Sequence, residues 1–161
     1  MAKEIERKYL VRNDSWKKDI VYSLYCQQGY IYHDNGVVRV RIMNDQGCVA
    51  FKGINDGISR DEFEYSIPVS EAREILVTMF DGSTIRKTRY IVEYRGFKWE
   101  VDIFGGDNEG LIVAEIEIES EDIVPPIPDW VGEEVSHDSK YYNSNLINNP
   151  YNTWGVVDEC I

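Results

Sequence analysis

The sequence contains very little cysteine. Cys26, Cys48 and Cys160 are spread over 161 residues, and this odd number shows no CxxC spacing. A disulfide framework or a zinc site would need more thiols at closer spacing, so neither is expected, and reduced thiols indicate a cytoplasmic protein. A chain of this length buries a core without such links.

Long apolar runs are also absent. No stretch approaches the roughly 20 residues that cross a bilayer, and the opening MAKEIERK is too acidic for a signal peptide. The net charge is −12, whereas nucleic acids and anionic membranes bind broad basic surfaces, so neither is an expected partner. No linker or repeat divides residues 1 to 161, which predicts a single domain.

Strand patterns dominate what is present. Charged and apolar residues alternate in EIERKYL, VVRVRI, CVAFK, DEFEYSI, RKTRYIVEY, KWEVDIF and VAEIEIE, and QGYIY is a further candidate strand. Short links rich in Gly, Asn and Asp separate them, which favours antiparallel pairing. Helices are predicted over residues 71 to 80, with Ser70 as N-cap, and over 14 to 23 and 139 to 147.

Each predicted strand has an apolar face and a charged face. The charged face holds Glu4, Glu6 and Lys8, then Arg39 and Arg41, Lys52, Glu62 and Glu64, Lys87 and Arg89, Glu100 and Asp102, and finally Glu115, Glu117 and Glu119. A solvated sheet face is the ordinary explanation of such a pattern. Like charges two residues apart, about 6.5 Å along a strand, repel by roughly 2.5 kcal/mol at an effective dielectric of 20. Such rows are unfavourable unless something binds to them.

If the sheet closes into a barrel with the charged face inward, these rows of charges line an interior that can bind a ligand. The apolar face then points outward, where helices such as residues 71 to 80 cover it. Rows of Arg and Lys bind an extended polyanion such as a polyphosphate. Carboxylates are hard oxygen ligands that suit Mg²⁺ or Mn²⁺, which also bind phosphate oxygens.

The ordered set of motifs is highly specific. Glu-x-Glu-x-Lys at Glu4, Glu6 and Lys8, the RVR pair, Lys52, the ExE of DEFEY, the KxR of RKTR, WEVD and AEIEIE together span residues 3 to 147. In this order they resemble the CYTH superfamily of triphosphate tunnel metalloenzymes, most closely its short bacterial branch. The resemblance implies a mainly antiparallel α+β fold, in which an eight-stranded closed β-barrel forms a charged tunnel with helices packed outside.

The resemblance also implies roles for individual residues. The expected triphosphate ligands are Lys8, Arg39, Arg41, Lys52, Lys87, Arg89 and Lys140. The expected ligands of one or two divalent metals, Mg²⁺ or Mn²⁺, are Glu4, Glu6, Glu62, Glu64, Asp102, Glu115 and Glu117. The candidate catalytic residues are Lys8, Lys87, Tyr30 and Glu117, with Tyr30 expected to help position water.

One departure from the family pattern stands near the C-terminus. Lys140, in HDSKYYNSNL, stands where the family commonly has Arg, so it keeps the charge but loses the bidentate fork. Asp138 is either a metal or water ligand or the cap of the following helix. Residues 149 to 161 form a tail outside the matched region, with no assigned function.

The expected activity is metal-dependent hydrolysis of inorganic triphosphate to pyrophosphate and phosphate. The alternatives within the same fold are an adenylate cyclase and a hydrolase of thiamine triphosphate or a nucleoside triphosphate. A polyphosphate-binding module without catalysis and a purely structural barrel are the alternatives outside enzymology. Whether two chains form a homodimer through the outer apolar face stays open.

Overall fold

The computed structural model describes residues 3 to 80 and 83 to 155 of the chain. Nine strands and two α-helices make up its regular structure: β1 Lys3–Val11, β2 Ile20–His33, β3 Gly36–Met43, β4 Gln46–Gly53, β5 Ser59–Ile67, α1 Val69–Met79, β6 Ile85–Tyr94, β7 Phe97–Phe104, β8 Ile112–Glu117, β9 Val131–Glu134 and α2 Asn143–Leu146. Short 3₁₀ helices cover Ser15–Asp19, Gly106–Asn108, Ser139–Tyr141 and Tyr151–Thr153.

The first eight strands close into an antiparallel barrel, which confirms the predicted fold class. Their order is β5-β4-β3-β2-β6-β7-β8-β1, and β1 also pairs with β5, which completes the circle. The two pairings of β1 use different parts of the strand: Lys3, Glu4 and Ile5 face β5, whereas Glu6 to Leu10 face β8. Strand β9 continues along β1 beyond β5 and pairs near Tyr9 and Val11.

The hairpin turn between β6 and β7 falls at one of the short links expected between strands. Between β6 and β7, Arg95 and Gly96 have φ of 48° and 82°. Positive φ at two consecutive residues belongs to the type I′ turn, whose twist matches that of a two-stranded antiparallel ribbon. The link 94 to 96 therefore fixes the register that places Arg89 opposite Asp102.

The apolar core lies outside the barrel, between its outer face and the segments that cover it. The largest cluster, which includes Trp16, Trp99 and Trp130, packs the outer face of β1 and β6 to β8 against the 3₁₀ helix Ser15–Asp19 and the start of β9. A second cluster contains Leu146 of α2, and a third lies beneath α1, where Leu76 contacts the outer face of β3. The expectation that a helix near residues 71 to 80 covers apolar sheet surface is confirmed.

Several predicted boundaries were wrong. Helix α1 begins at Val69 after Pro68, so Ser70 lies inside its first turn rather than at the N-cap, and the Pro68 carbonyl accepts the first helical N–H groups. Residues 14 to 23 form one 3₁₀ turn and then enter β2, because pairing with β6 extends that strand back to Ile20. Residues 139 to 147 divide into a 3₁₀ turn and α2.

Part of the outer apolar face is left uncovered. The strand registers align Ile31, Val38, Phe51 and Phe63 in one row across β2 to β5. Ile31, Phe51 and Phe63 are 45%, 48% and 40% exposed.

The two cysteines within the described residues are thiols without disulfide partners. Cys26 is buried and Cys48 is partly buried, whereas Cys160 lies outside the described residues. Among the helices in residues 3 to 80 and 83 to 155, none is long and apolar enough to cross a membrane.

Candidate active site

The barrel encloses a cavity of about 320 Å³ with a predominantly charged wall. The structure brings most of the predicted site residues together in that wall: Glu4, Glu6, Lys8, Tyr30, Arg39, Arg41, Lys52, Glu62, Glu64, Lys87, Arg89, Glu115 and Glu117. They meet there because each strand presents every second side chain to the interior. The cavity can therefore hold an anion and a cation side by side.

On β3 and β4, buried cations face acidic residues of β1 and β5. Arg39 lies 2.7 Å and Arg41 3.6 Å from the same Glu64 carboxylate oxygen. Lys52 lies 3.5 Å from Glu4 and 3.2 Å from Glu62. The Nε atoms of Arg39 and Arg41 have no hydrogen-bond partner within the described residues. These side chains thus keep donor capacity for a ligand anion.

Glu4 and Glu62 both lie beside Lys52, but their pKa values are shifted in opposite directions. Burial opposes ionisation of Glu4, but the hydrogen bond from Glu62 and the charge of Lys52 lower the pKa of Glu4 to about 2. Burial and the hydrogen bond to Glu4 raise the pKa of Glu62. One proton held between two carboxylates is the expected result of placing both in one site.

Asp102 is the centre of a second buried network. Its carboxylate accepts hydrogen bonds from Lys87 Nζ at 2.7 Å and from Arg89 Nε and Nη2 at 2.8 and 2.9 Å. Asp102 is fully buried and, unlike the other predicted metal ligands, does not line the cavity. Burial alone would raise its pKa, but Arg89 and Lys87 hold the pKa of Asp102 below its ordinary value. The geometry suits an anchor for these two cations.

The acidic residues Glu6, Glu100 and Glu115 form a cluster on β1, β7 and β8. One carboxylate oxygen of each lies within 4.8 Å of the others. Glu115 also lies 3.1 Å from Lys8 and 3.3 Å from Arg89. Burial, then the charges of Glu115 and Glu4, raise the pKa of Glu6 well above its usual range. The close approach of three carboxylates supplies the hard oxygen donors that a divalent cation binds.

Glu117 extends this acidic wall. It stands directly opposite Glu6 in the pairing of β1 with β8. Burial, followed by the charges of Glu4 and Glu100, raises the pKa of Glu117. The acidic wall thus runs from β5 across β1 to β8.

Tyr30 is held in the cavity wall by a neighbour that the sequence analysis did not identify. Gln28 is 1% exposed, and its Nε2 donates to the Tyr30 hydroxyl at 2.6 Å. Burial raises the pKa of Tyr30. The tyrosine therefore stays a neutral hydroxyl that can donate to an anion.

Residues 136 to 144 cross one end of the cavity. Asn143 Oδ1 accepts from Lys87 Nζ at 2.9 Å, and the carbonyl oxygen of Tyr141 accepts from Lys8 Nζ at 3.2 Å. Ser136, Tyr142 and Asn143 line the cavity. None of them carries a charge, so the alternation of charged residues gave no signal for them.

Lys140 lies outside the cavity lining. Its ammonium is 4.8 Å from the centre of the Trp154 ring and 5.3 Å from that of Tyr141, on the outer side of the segment. The neighbouring Asp138 accepts a hydrogen bond from the Lys140 backbone N–H, as a helix cap does. Arg60, in contrast, lines the cavity, and its position two residues before Glu62 was a signal for it in the sequence.

One family model and two known proteins match the chain over nearly its whole length. The CYTH domain model matches residues 2 to 148. The chain is 51% identical to the inorganic triphosphatase of Acetivibrio thermocellus over 152 residues, which cover 94% of this chain and 97% of that protein. It is 33% identical to the inorganic triphosphatase of Nitrosomonas europaea over 148 residues, 89% of this chain and 95% of that protein.

A solved structure agrees with these sequence relatives. The crystal structure of an inorganic triphosphatase superposes with a TM-score of 0.65 at 31% identity, and the match covers 91% of this chain and 95% of that chain.

Proposed function

Because the chain belongs to the CYTH domain family, we propose that it is an inorganic triphosphatase, a hydrolase that converts tripolyphosphate and water to pyrophosphate and phosphate. The observation that supports this proposal most strongly is the pairing of two complementary walls in one closed cavity. Arginines and lysines form one wall and the carboxylates around Glu6 form the other.

The basic side chains bind the triphosphate. Arg39, Arg41 and Arg89 offer planar donor pairs for phosphate oxygens, and Lys8, Lys52 and Lys87 offer point charges. Each cation lies within 4.0 Å of a carboxylate. A triphosphate therefore exchanges protein carboxylates for phosphate oxygens rather than filling an empty basic site. Lys140 binds no phosphate in this assignment, because its ammonium lies on the outside.

The carboxylate cluster fits a divalent cation, Mg²⁺ or Mn²⁺. Glu6, Glu100 and Glu115 contribute oxygens from the cluster, and the acidic wall is completed by Glu4, Glu62, Glu64 and Glu117. Asp102 is assigned to positioning Lys87 and Arg89 instead, since both of its oxygens are engaged by these cations. When bound, the cation supplies Lewis-acid charge to the phosphate oxygens and makes a bound water more acidic.

The protein's own groups position the reactants. Lys8 and Lys87 hold the terminal phosphoryl group, Tyr30 donates its hydroxyl hydrogen to the anion, and Glu117 orients the attacking water. The water oxygen forms a bond to the terminal phosphorus as the bridging P–O bond breaks, and pyrophosphate leaves with that bridging oxygen. The two water protons pass to the solvent and to the phosphate products. Positioning and charge stabilisation are the main protein contributions to phosphoryl transfer.

A substrate panel distinguishes this function from its alternatives. Phosphate release is measured with tripolyphosphate, ATP and thiamine triphosphate, each with Mg²⁺ and with Mn²⁺, and the ATP reaction is also assayed for cyclic AMP. We expect the fastest turnover with tripolyphosphate. Faster ATP hydrolysis or formation of cyclic AMP would reassign the activity within the fold. Binding of tripolyphosphate without turnover would identify a binding module.

The proposal includes a cytoplasmic enzyme of one domain, with neither nucleic acid nor membrane as a partner.

The uncovered row Ile31, Val38, Phe51 and Phe63 supports a homodimer, because it carries no charge and two copies of a chain with a net charge of −12 repel least there. Sedimentation should show a dimer that Phe51→Glu converts to a monomer. If the wild-type protein is still a monomer at a concentration of about 100 µM, the proposed dimer is wrong, but the proposed activity is unaffected.

A further inference from the structure

The tail beyond the family match packs against the segment that closes one end of the cavity. Trp154 lies between two tyrosines: its ring is 5.1 Å from that of Tyr141 at 86° and 5.1 Å from that of Tyr151 at 71°. Its Nε1 donates to the carbonyl oxygen of Asn149 at 3.0 Å. Edge-to-face packing of this kind is the favoured arrangement of aromatic pairs.

The barrel in turn holds this tail. The backbone N–H of Tyr151 donates to Asn108 Oδ1 at 2.9 Å, and Asn108 is buried in the turn before β8. Gly110 has a φ of +98°, and a Cβ at that position would lie only 3.3 Å from the Tyr151 ring. Tyr151 therefore depends on a glycine for its close approach to the barrel.

Trp154 is connected to two substrate-binding lysines through the segment it packs against. Tyr141, whose ring it contacts, accepts the hydrogen bond from Lys8 with its carbonyl oxygen. Two residues later, Asn143 accepts from Lys87. Lys140 completes the cluster from outside with its ammonium over the Trp154 ring.

From these contacts we propose that Trp154 is a positioning residue of the active site: with Tyr151 it holds residues 139 to 144 where Tyr141 and Asn143 orient the ammonium groups of Lys8 and Lys87. Trp154 touches neither substrate nor metal. The same contacts explain why Lys140 lies on the outer side of the segment, because there its charge stabilises the packing of Trp154. The expected effect of Trp154 on turnover rests on the proposed function, whereas its expected effect on the position of the segment does not.

The first test measures the segment itself by hydrogen exchange. The amides of Tyr142, Asn145 and Leu146 donate to carbonyl oxygens within the segment. In Trp154→Ala they should exchange about tenfold faster than in the wild type, while strand amides are unchanged. Trp154→Phe, which keeps an aromatic ring, should restore most of the protection, and Tyr151→Ala should resemble Trp154→Ala. Unchanged exchange at these amides in both alanine variants would overturn the proposal.

The second test measures turnover of tripolyphosphate. Trp154→Ala should lower kcat about tenfold, since small displacements of reacting groups have effects of this size or larger, and should change KM less because the arginines still bind the substrate. As a control, Tyr25→Ala removes a half-exposed aromatic ring elsewhere on the barrel and should leave kcat unchanged.

A double-mutant cycle separates positioning from general stability. Trp154→Ala combined with Asn143→Ala should lower kcat by clearly less than the product of the two single effects, because both changes act on the same contact. Effects that multiply would show that Trp154 acts independently of the lysines and would overturn the proposal. A wild-type enzyme without triphosphatase activity would instead refute the proposed function, and hydrogen exchange would still decide whether Trp154 anchors the segment.

Discussion

Replacing Asp102 by Asn tests whether this carboxylate anchors the two cations beside it. Asp102 is fully buried and accepts three hydrogen bonds of 2.7 to 2.9 Å from Lys87 and Arg89. Removing one partner of a buried ion pair costs about 3 to 5 kcal/mol. Because Asn keeps the shape of Asp and one acceptor oxygen, we expect Asp102→Asn to lower the free energy of unfolding by about 3 kcal/mol, at the lower end of this range.

That loss has a measurable size. In a domain of this length it lowers the melting temperature by about 6 to 12 °C, and urea unfolding should report the same free-energy change. The matched control is Asp61→Asn, which breaks the exposed ion pair with Lys3 at 2.9 Å and should cost less than about 1 kcal/mol. Metal affinity should change little in Asp102→Asn, since the carboxylate lies behind the cavity wall.

Two results would contradict the anchoring role of Asp102. A stability loss no larger than that of Asp61→Asn would show that the buried network contributes no more than a surface pair. A Mg²⁺ affinity lowered tenfold or more, with stability unchanged, would show that Asp102 is a metal ligand, as the family resemblance implied.

Three further outcomes follow from the site. Glu6→Ala should abolish metal-dependent turnover while weakening metal-free binding of tripolyphosphate less than Arg41→Ala does, as measured by calorimetry; equal effects on binding would contradict the separate roles. Tripolyphosphate at 100 times its Kd should stabilise the fold by about 2.7 kcal/mol, and a melting scan without any shift would exclude binding to the folded barrel. Although burial opposes it, hydrogen bonds from Ser136 and Arg7 lower the pKa of Glu134. The pKa of Glu134 is therefore lower in the folded protein than in the unfolded chain. The ionised Glu134 stabilises the fold above its unfolded pKa, and this stabilisation is lost as the pH falls through its folded pKa. Glu134→Gln should accordingly flatten the acid side of the stability curve, and an unchanged curve would contradict this.

The alternation of residues predicted most of the strand side chains that face the cavity. A strand turns every second residue to one side, so once Glu6 and Lys8 face inward, the sides of all other β1 residues follow. The same rule applied to β3, β6 and β8, and closure brought their charged faces together. It applied to Arg60 as well, although the sequence analysis stopped the row at Glu62.

Other features depend on contacts between distant segments and left no local pattern. Asp102 faces inward by alternation, but its depth in the wall follows from the register that sets Arg89 opposite it. The early part of β2 lacks alternating charges, and its extended form comes from pairing with β6. Lys140 and Asn143 lie in two helices that are too short to show a periodic pattern. Lys140 faces outward onto the Trp154 ring, and Asn143 faces inward and accepts from Lys87.

The proposed function requires that the two walls of the cavity act together on a triphosphate. Its most direct test follows tripolyphosphate by phosphorus NMR in ¹⁸O-labelled water, with Mg²⁺ or Mn²⁺ and with a chelator. We predict that pyrophosphate and phosphate appear in equal amounts only when metal is present, and that the ¹⁸O label enters the phosphate. Metal-independent cleavage, or no cleavage of tripolyphosphate under any of these conditions, would contradict the account.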